Sequence, residues 1–142
     1  GYCRKDPSKN VCVLCPLSSF CPSSKLPERI RGAPLRSRRE SMIFERFLKL
    51  YRDKLGISDV WTEYPIGDYS IDAVMHSKDC TWYVAEVEEK LTDTAIGQAI
   101  KYKVLLYRYK KVIARPLIIC REANNKLVEL LRTDAGIQVF TV

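Results

Sequence analysis

The sequence predicts a mixed α/β domain, and three observations support that fold class. Hydrophobic residues make up 46% of the 142-residue chain, which is enough for the folded core of about one domain. Along the chain, the hydrophobic spacing changes between the period of a helix and the alternation of a strand. Taken in order from residue 37, these patterns predict the elements αβββαβαβ, preceded by a segment with four of the six cysteines.

The first predicted helix covers residues 37–55. Ser37 is a suitable N-cap, and Glu40 stands three residues later, as in a capping box. Apolar residues recur at helical spacing as far as Leu55, and Gly56 follows directly. Glycine is favoured just after a helix, so we expect the helix to end there.

Three strands are predicted to follow as a meander. Residues 59–65 and 69–75 have the alternating pattern of strands and are separated by a short turn. The sequence HSKD at residues 76–79 is predicted to form the next turn, which places His76 at the surface. A third strand is predicted over residues 80–88.

The second half of the domain alternates between helices and strands. Helices are predicted over residues 93–110 and 122–133, and strands over residues 112–120 and 137–142. The strand at 112–120 is largely apolar, which predicts burial on both faces. Pro116 inside it indicates the end of a strand or the edge of the sheet, because proline has no backbone N–H to donate.

The chain is basic, with 24 lysine and arginine residues against 17 aspartate and glutamate residues and an isoelectric point of about 9.2. This balance favours a polyanionic partner such as nucleic acid, although it also serves solubility. No apolar run approaches the roughly 18 residues of a membrane span. The first 24 residues lack the apolar centre of a signal peptide. We therefore expect an intracellular, cytoplasmic protein without a membrane partner.

Three carboxylates are expected on two neighbouring strands. Side chains alternate between the faces of a strand, so Glu86 and Glu88 share one face with Val84. A hairpin turning at Lys78 sets Asp72 opposite Val84 and diagonal to Glu86, within reach of a common cation. Grouped acids repel each other unless a cation neutralises them. Their oxygen atoms suit Mg2+ or Mn2+, whereas the alternative is a solvated acidic face.

Further polar residues are expected around these acids. Gln98 and Tyr102 are one helical turn apart and face the same way. Gln98 is therefore suited to contact a phosphate or to orient a ligand. Arg36, Arg38 and Arg39 lie at or just before a predicted helix N-terminus, where phosphate contact is favoured.

Residues 1–24 form a separate segment that is rich in cysteine, serine and proline. The cysteines, spaced C-x8-C-x2-C-x5-C, are Cys3, Cys12, Cys15 and Cys21. So short a segment cannot build an adequate core and needs metal or cross-links. An iron–sulphur cluster, zinc and disulfides all remain open. Residues 25–36 contain two prolines and a glycine among basic residues and are predicted to link this module to the domain at 37–142.

Residues 37–142 resemble the PD-(D/E)xK nuclease superfamily, and within it the RecB-like branch that carries a Q-x3-Y motif. Asp72 in SIDAV is similar to the motif aspartate, and Glu86 in AEVEE to the motif glutamate. Gln98 and Tyr102 match the Q-x3-Y pair. The resemblance implies a restriction-endonuclease-like αβββαβ core.

The resemblance also implies hydrolysis of DNA by a metal-activated water, in repair, recombination or defence. Asp72, Glu86 and the backbone carbonyl of Val87 are the implied ligands of Mg2+ or Mn2+. The opening helix is similar to that of Holliday-junction resolvases, in which this helix supplies a further glutamate. The similarity implies that Glu45, in the sequence FER, supports metal binding, and Glu40 is the less favoured candidate. A homodimer or a larger repair complex is the implied assembly.

The sequence departs from the family at Glu88, where the E-x-K motif has lysine. That lysine orients the attacking water and stabilises developing charge. Some restriction endonucleases with E-x-E are active, which implies that Glu88 is a general base or a second-metal ligand. Lys90 and Lys101 are the candidate replacements for the positive charge and candidate contacts to DNA. The alternative is an inactive nuclease fold that binds DNA.

The cysteine segment has a resemblance of its own. CVLCPLSSFC, which contains Cys12, Cys15 and Cys21, is similar to the iron–sulphur loop of endonuclease III, adenine glycosylases and AddB-type nucleases. The first gap is eight residues here and six in the glycosylases, and the loop precedes the domain, whereas in AddB-type nucleases it follows the core. The resemblance implies a [4Fe-4S] cluster, with zinc as the alternative.

Overall fold

The computed structural model describes residues 30–142 and, before them, the backbone of two short strands. These are β1 (Lys5–Asp6) and β2 (Val11–Cys12), which pair antiparallel. The domain continues with β3 (Ile30–Gly32), α1 (Arg38–Leu55), β4 (Ile57–Ile66), β5 (Tyr69–Ser77), β6 (Trp82–Val87), α2 (Asp93–Lys110), β7 (Ala114–Cys120), α3 (Asn125–Leu130) and β8 (Gln138–Thr141). A π-helical turn, Leu131–Ala135, extends α3.

Strands β3 to β8 form one mixed sheet in the order in which they occur in the chain. β4, β5 and β6 are an antiparallel meander, whereas β6, β7 and β8 are parallel. Parallel neighbours need a crossover connection, and α2 and α3 with its π-helical turn supply the two crossovers. The predicted α/β class and the order αβββαβαβ from α1 onward are confirmed.

The two long helices contribute to the cores on opposite faces of the sheet. Phe44 and Phe47 of α1 belong to one buried cluster, with Ala85 of β6. Tyr102 of α2 belongs to another, with Val84, the neighbour of Ala85 in β6. Because neighbouring residues of a strand face opposite ways, the sheet is buried on both sides. No helix in residues 30–142 is long and apolar enough to cross a membrane.

Helix α1 begins and ends where the capping signals predict. The Ser37 hydroxyl accepts a hydrogen bond from the Glu40 N–H at 3.1 Å. Gly56 has a φ of 65°, and its N–H donates to the carbonyls of Arg52 and Asp53. Glycine adopts this left-handed conformation without a steric penalty, so it satisfies carbonyls that the helix leaves unpaired.

Part of the predicted linker belongs to the sheet. Ile30–Gly32 form β3, which pairs in parallel with β4. At Gly32, a Cβ atom would lie only 2.1 Å from the Thr62 carbonyl oxygen. The linker prediction for residues 25–36 is therefore wrong from Ile30 onward. Backbone hydrogen bonds to an open sheet edge recruit this segment, and composition does not reveal such pairing.

The hairpin between β5 and β6 differs in register from the predicted one. Val74 pairs with Val84, whereas the predicted hairpin about Lys78 set Asp72 opposite Val84. A difference of two residues leaves every side chain on its predicted face. The same register, continued by one pair, places Asp72 level with Glu86 rather than diagonal to it.

The prediction for His76 is wrong, because it lies within β5 rather than in a turn. It is 2% exposed, and its ring centroid is 4.2 Å from that of Trp82, so burial against an aromatic ring replaces the expected solvent exposure. Pro116 was predicted at the end of a strand or at the edge of the sheet. It lies near the start of β7, an inner strand, and has no partner in β8 because that ladder begins at Leu117.

Candidate active site

Two buried carboxylates lie on the face of the sheet that α2 covers. Asp72 comes from β5 and Glu86 from β6, and each is 2% exposed. Glu86 lies on the same face of β6 as Trp82 and Val84, which pack with Tyr102 in the core. The alternative of a solvated acidic face therefore does not hold for Asp72 and Glu86.

Three donors fix the Asp72 carboxylate. The Tyr102 hydroxyl donates to Oδ1 at 3.2 Å, and Arg36 Nη2 donates to the same oxygen at 3.5 Å. The backbone N–H of Val87 donates to Oδ2 at 3.0 Å. Asp72 is thus held by α2, by the segment before α1 and by the end of β6. Charge-assisted hydrogen bonds of this kind fix the orientation of a carboxylate.

Glu86 is the unsatisfied member of the pair. Its Oε2 is buried and has no hydrogen-bond partner among the described residues. Burial, together with the adjacent Asp72 carboxylate, raises the pKa of Glu86 to about 9. A buried carboxylate oxygen without a donor requires either a proton or a cation. Glu86 therefore marks the position at which a cation would compensate the site.

The donor set suits a hard divalent ion. Asp72, Glu86 and the Val87 carbonyl supply oxygen atoms, which Mg2+ and Mn2+ prefer. Within residues 30–142, no group of three His, Cys, Asp or Glu side chains is arranged to hold a metal. Mg2+ usually keeps several waters and binds one or two carboxylates. Two carboxylates and one carbonyl thus fit such an ion.

Tyr102 keeps its proton at the site. Its side chain is 1% exposed. Burial and the charges of Asp72 and Glu86 raise the pKa of its hydroxyl. Tyr102 therefore acts as a hydrogen-bond donor and not as a base. Gln98 lies one turn earlier on α2 and is half-buried, and its side chain makes no hydrogen bond within residues 30–142.

Glu88 is half-buried and lines a cleft of about 470 Å3 beside the buried carboxylates. Its side chain is not part of the hydrogen-bonded group around Asp72, and its backbone N–H donates to Ile119 at 3.0 Å. The residues that line this cleft are Arg39, Glu88, Glu89, Lys90, Thr92, Arg121 and Glu122. Glu88, at which the sequence departs from the E-x-K motif that it resembles, thus faces an open cleft.

Helix α1 brings Glu40, rather than Glu45, to the carboxylates. Burial and the charges of Asp72 and Glu88 raise the pKa of Glu40. Glu45 is exposed and lines a different surface pocket with Lys49. The two glutamates are five residues apart, about 500° around a helix, and therefore face different directions. The structure thus does not bring Glu45 to the site.

The positive charge at the site comes from Arg36. Lys90 instead lies 3.7 Å from Glu122, and Lys101 lies over the Tyr69 ring, 4.6 Å from its centroid. Neither lysine contacts the two buried carboxylates. Arg36 was predicted to contact phosphate, and its ion pair with Asp72 was not predicted. No local signal reveals this pair, because its members are 36 residues apart.

The other predicted site residues have separate positions. Arg38 is exposed at the first turn of α1, and Arg39 makes a 3.3 Å ion pair with Glu89. Their contact with nucleic acid stays a prediction. Cys3, Cys15 and Cys21 lie outside the described residues, and only the backbone of Cys12 is described. Metal binding by the four cysteines therefore also stays a prediction.

No protein-family model matches this sequence, and no curated protein matches it. Among solved structures, the fold is similar to the crystal structure of a repair endonuclease from Pyrococcus abyssi, with a TM-score of 0.59 and 18% sequence identity. The match covers 78% of this chain and 49% of that chain, so this chain spans about half the length of its structural neighbour. At this identity the likeness shows a shared fold, and function must be argued from the site.

Proposed function

We propose that this protein is a metal-dependent deoxyribonuclease that hydrolyses phosphodiester bonds in DNA. The observation that carries this proposal is the buried Glu86 oxygen beside Asp72 that has no hydrogen-bond partner among the described residues. A pair of buried carboxylates with one uncompensated oxygen is unfavourable unless a cation binds there. The fold shared with a repair endonuclease supports the choice of nucleic acid as substrate, as does the net charge of +7.

Asp72, Glu86 and the Val87 carbonyl would hold Mg2+ or Mn2+. Such an ion, when bound, supplies a water of lowered pKa and neutralises charge on the phosphate. Tyr102 keeps Asp72 oriented through its hydroxyl. Gln98 lies on the same side of α2, makes no hydrogen bond within residues 30–142, and is available to the substrate. The surrounding apolar core limits the motion of the carboxylates.

Arg36 and Glu88 replace the lysine of the family motif in this proposal. Arg36 is 68% exposed although it reaches the buried Asp72. Its guanidinium can therefore leave the carboxylate when a cation binds and can contact a substrate phosphate. Glu88 faces the cleft and can accept a proton from the attacking water. The proposed substrate is DNA, and the proposed process is repair, recombination or defence. The active assembly would be one chain, a homodimer or a larger complex.

Replacement of Glu40 should weaken metal binding, whereas replacement of Glu45 should not. Glu40→Gln removes a negative charge near Asp72, and loss of such supporting groups typically lowers metal affinity about 10-fold or more. We expect the Mg2+ concentration for half-maximal cleavage to rise by about that factor. Glu45→Gln, on the same helix, is the control and should leave it unchanged. If only Glu45→Gln required more Mg2+, Glu45 rather than Glu40 would be the residue that supports metal binding.

We also propose that the four cysteines of residues 1–24 bind a [4Fe-4S] cluster. The purified chain should then be brown, absorb at about 400 nm and contain about four iron atoms. Cys15→Ser should lose that absorbance, whereas Cys120→Ala, which removes a buried thiol of the sheet, should retain it. A colourless protein that contains one zinc would favour the zinc alternative instead.

A further inference from the structure

Three arginines surround a second cavity next to the cleft at Glu88. The cavity has a volume of about 180 Å3 and is lined by Arg39, Met42, Ile43, Arg46, Arg121 and Val142. Apart from the α-carboxyl group of Val142, no acidic group contributes to this lining. Arg39, Arg46 and Arg121 are here called the arginine clamp.

The clamp is built from elements that also position the carboxylates. Arg39 and Arg46 are seven residues apart on α1, which sets them two turns apart on one side of the helix. Arg121 follows directly after β7, whose partner β6 carries Glu86. The N–H of Val142 donates to the Cys120 carbonyl at 2.9 Å, which holds the chain end against β7. The clamp therefore has a rigid frame.

Two of these three guanidinium groups are uncompensated. Arg39 pairs with Glu89 at 3.3 Å. Arg46 and Arg121 are exposed, and neither makes an ion pair with an acid in residues 30–142. Like charges around one small cavity repel each other and favour an anion between them. Guanidinium groups match the planar oxygen edges of a phosphate through paired N–H donors.

Apolar residues also line the cavity: Met42, Ile43 and Val142. Ile43 is buried, while Met42 is 60% exposed. A lining that is both cationic and apolar fits a ligand that combines an anionic and an apolar part. A nucleotide unit has both, since its phosphate can contact the arginines while its sugar or base contacts the apolar side chains.

The clamp is continuous with the candidate active site. Arg39 and Arg121 line both this cavity and the cleft that contains Glu88. Glu86 pairs with Ile118, so Arg121 lies three residues farther along the sheet, a distance of about 10 Å. At this separation, a DNA strand held at the carboxylates would place a phosphate near the one that is cut within reach of the clamp.

We propose that the arginine clamp binds the sugar–phosphate backbone of DNA close to the phosphate that is cut. The proposal rests on the nuclease function proposed above and assigns two residues, Arg46 and Arg121, to substrate binding. Their contacts are with phosphate, so they contribute affinity and register rather than sequence preference.

The test is binding of a short DNA duplex to the full chain in EDTA, measured over a range of salt concentrations. Arg46→Gln/Arg121→Gln should weaken binding by at least about 10-fold at low salt. The slope of log K against log salt should fall by about 2, one for each phosphate contact. Arg115→Gln, exposed at the opposite end of β7, is the control and should change neither value.

The outcomes separate this proposal from the proposed nuclease function. An unchanged affinity and slope in the double variant would overturn the clamp, whatever the cleavage activity. An oligoglutamate peptide that binds with the same affinity as DNA, and loses that affinity in the double variant, would also overturn the clamp. That result would favour an acidic protein partner. A third outcome is that wild type binds DNA more tightly than the double variant but cuts no DNA in Mg2+. This result would support the clamp and contradict the proposed nuclease function. If the double variant unfolds, Arg46→Gln alone should lower the slope by about 1.

Discussion

Asp72→Asn is expected to lower Mg2+-dependent DNA cleavage by at least about 1000-fold, because it removes a charged ligand from the proposed metal site. The fold should be unchanged, since asparagine has the same shape and keeps an oxygen that can accept from Val87. Time courses of cleavage on single-stranded, duplex and branched DNA, in Mg2+ or Mn2+, would measure the effect. Asp68→Asn, in the exposed turn before β5, is the matched control and should cut normally.

Undiminished cutting by the Asp72 variant would contradict the assignment of the metal site. A different result, in which wild type binds DNA in EDTA but nicks none of these substrates with either metal, would favour the inactive binding module. In that case Arg36 would act as a permanent cation for Asp72, the role suggested by their 3.5 Å contact. The comparison with Asp68→Asn excludes a general effect of lost negative charge.

Glu86→Gln is expected to abolish cleavage and, at the same time, to stabilise the metal-free protein. The pKa of Glu86 rises from 4.5 to about 9 on folding, mainly through burial. Folding therefore favours the protonated carboxyl, and glutamine mimics that neutral form. At pH 8 the variant should melt about 5–10 °C above wild type, which corresponds to on the order of 2 kcal/mol.

The pH dependence has a definite sign. A raised carboxyl pKa contributes stability that is fully present below the unfolded value of 4.5 and is lost as the pH rises towards 9. Metal-free wild type should therefore lose stability over this range, and Glu86→Gln should lose less. Mg2+ should raise the melting temperature of wild type but not of the variant, because binding to the folded state alone is stabilising.

Melting curves in EDTA and in Mg2+ between pH 5 and 9 would measure both effects. Glu45→Gln removes an exposed glutamate away from the site and should melt like wild type at every pH. A Glu86→Gln protein that is less stable than wild type at pH 8 would mean that the Glu86 carboxylate is compensated within the fold. The expected gain in stability of Glu86→Gln at the expense of activity is common when residues of active sites are replaced.

Local signals were sufficient for most of the elements. Ser37 and Gly56 bound α1 because capping depends on hydrogen bonds within a few residues of the chain. The shift from alternation to helical spacing after β6 likewise located α2. Ile30–Gly32 escaped prediction, because a short edge strand is recruited by the backbone of β4 and carries little pattern of its own.

The carboxylate pair was predictable despite an error in register. Side chains alternate with a period of two, so a shift of two residues leaves Asp72 and Glu86 on one face. His76 was placed wrongly because β5 extends further than its alternating pattern, and its ring is buried against Trp82. The extent of a hairpin depends on contacts across strands, which a single strand's sequence does not show.

The sequence by itself determined the order of the elements and the common face of Asp72 and Glu86, because both follow from short-range periodicity. The tertiary structure alone decided which residues of α1 and its preceding segment meet that face. It placed Arg36 and Glu40 near Asp72 and set Glu45 apart, because the packing of α1 against the sheet fixes these long-range contacts. It also showed that one Glu86 oxygen has no hydrogen-bond partner within residues 30–142, which the burial of Glu86 makes costly.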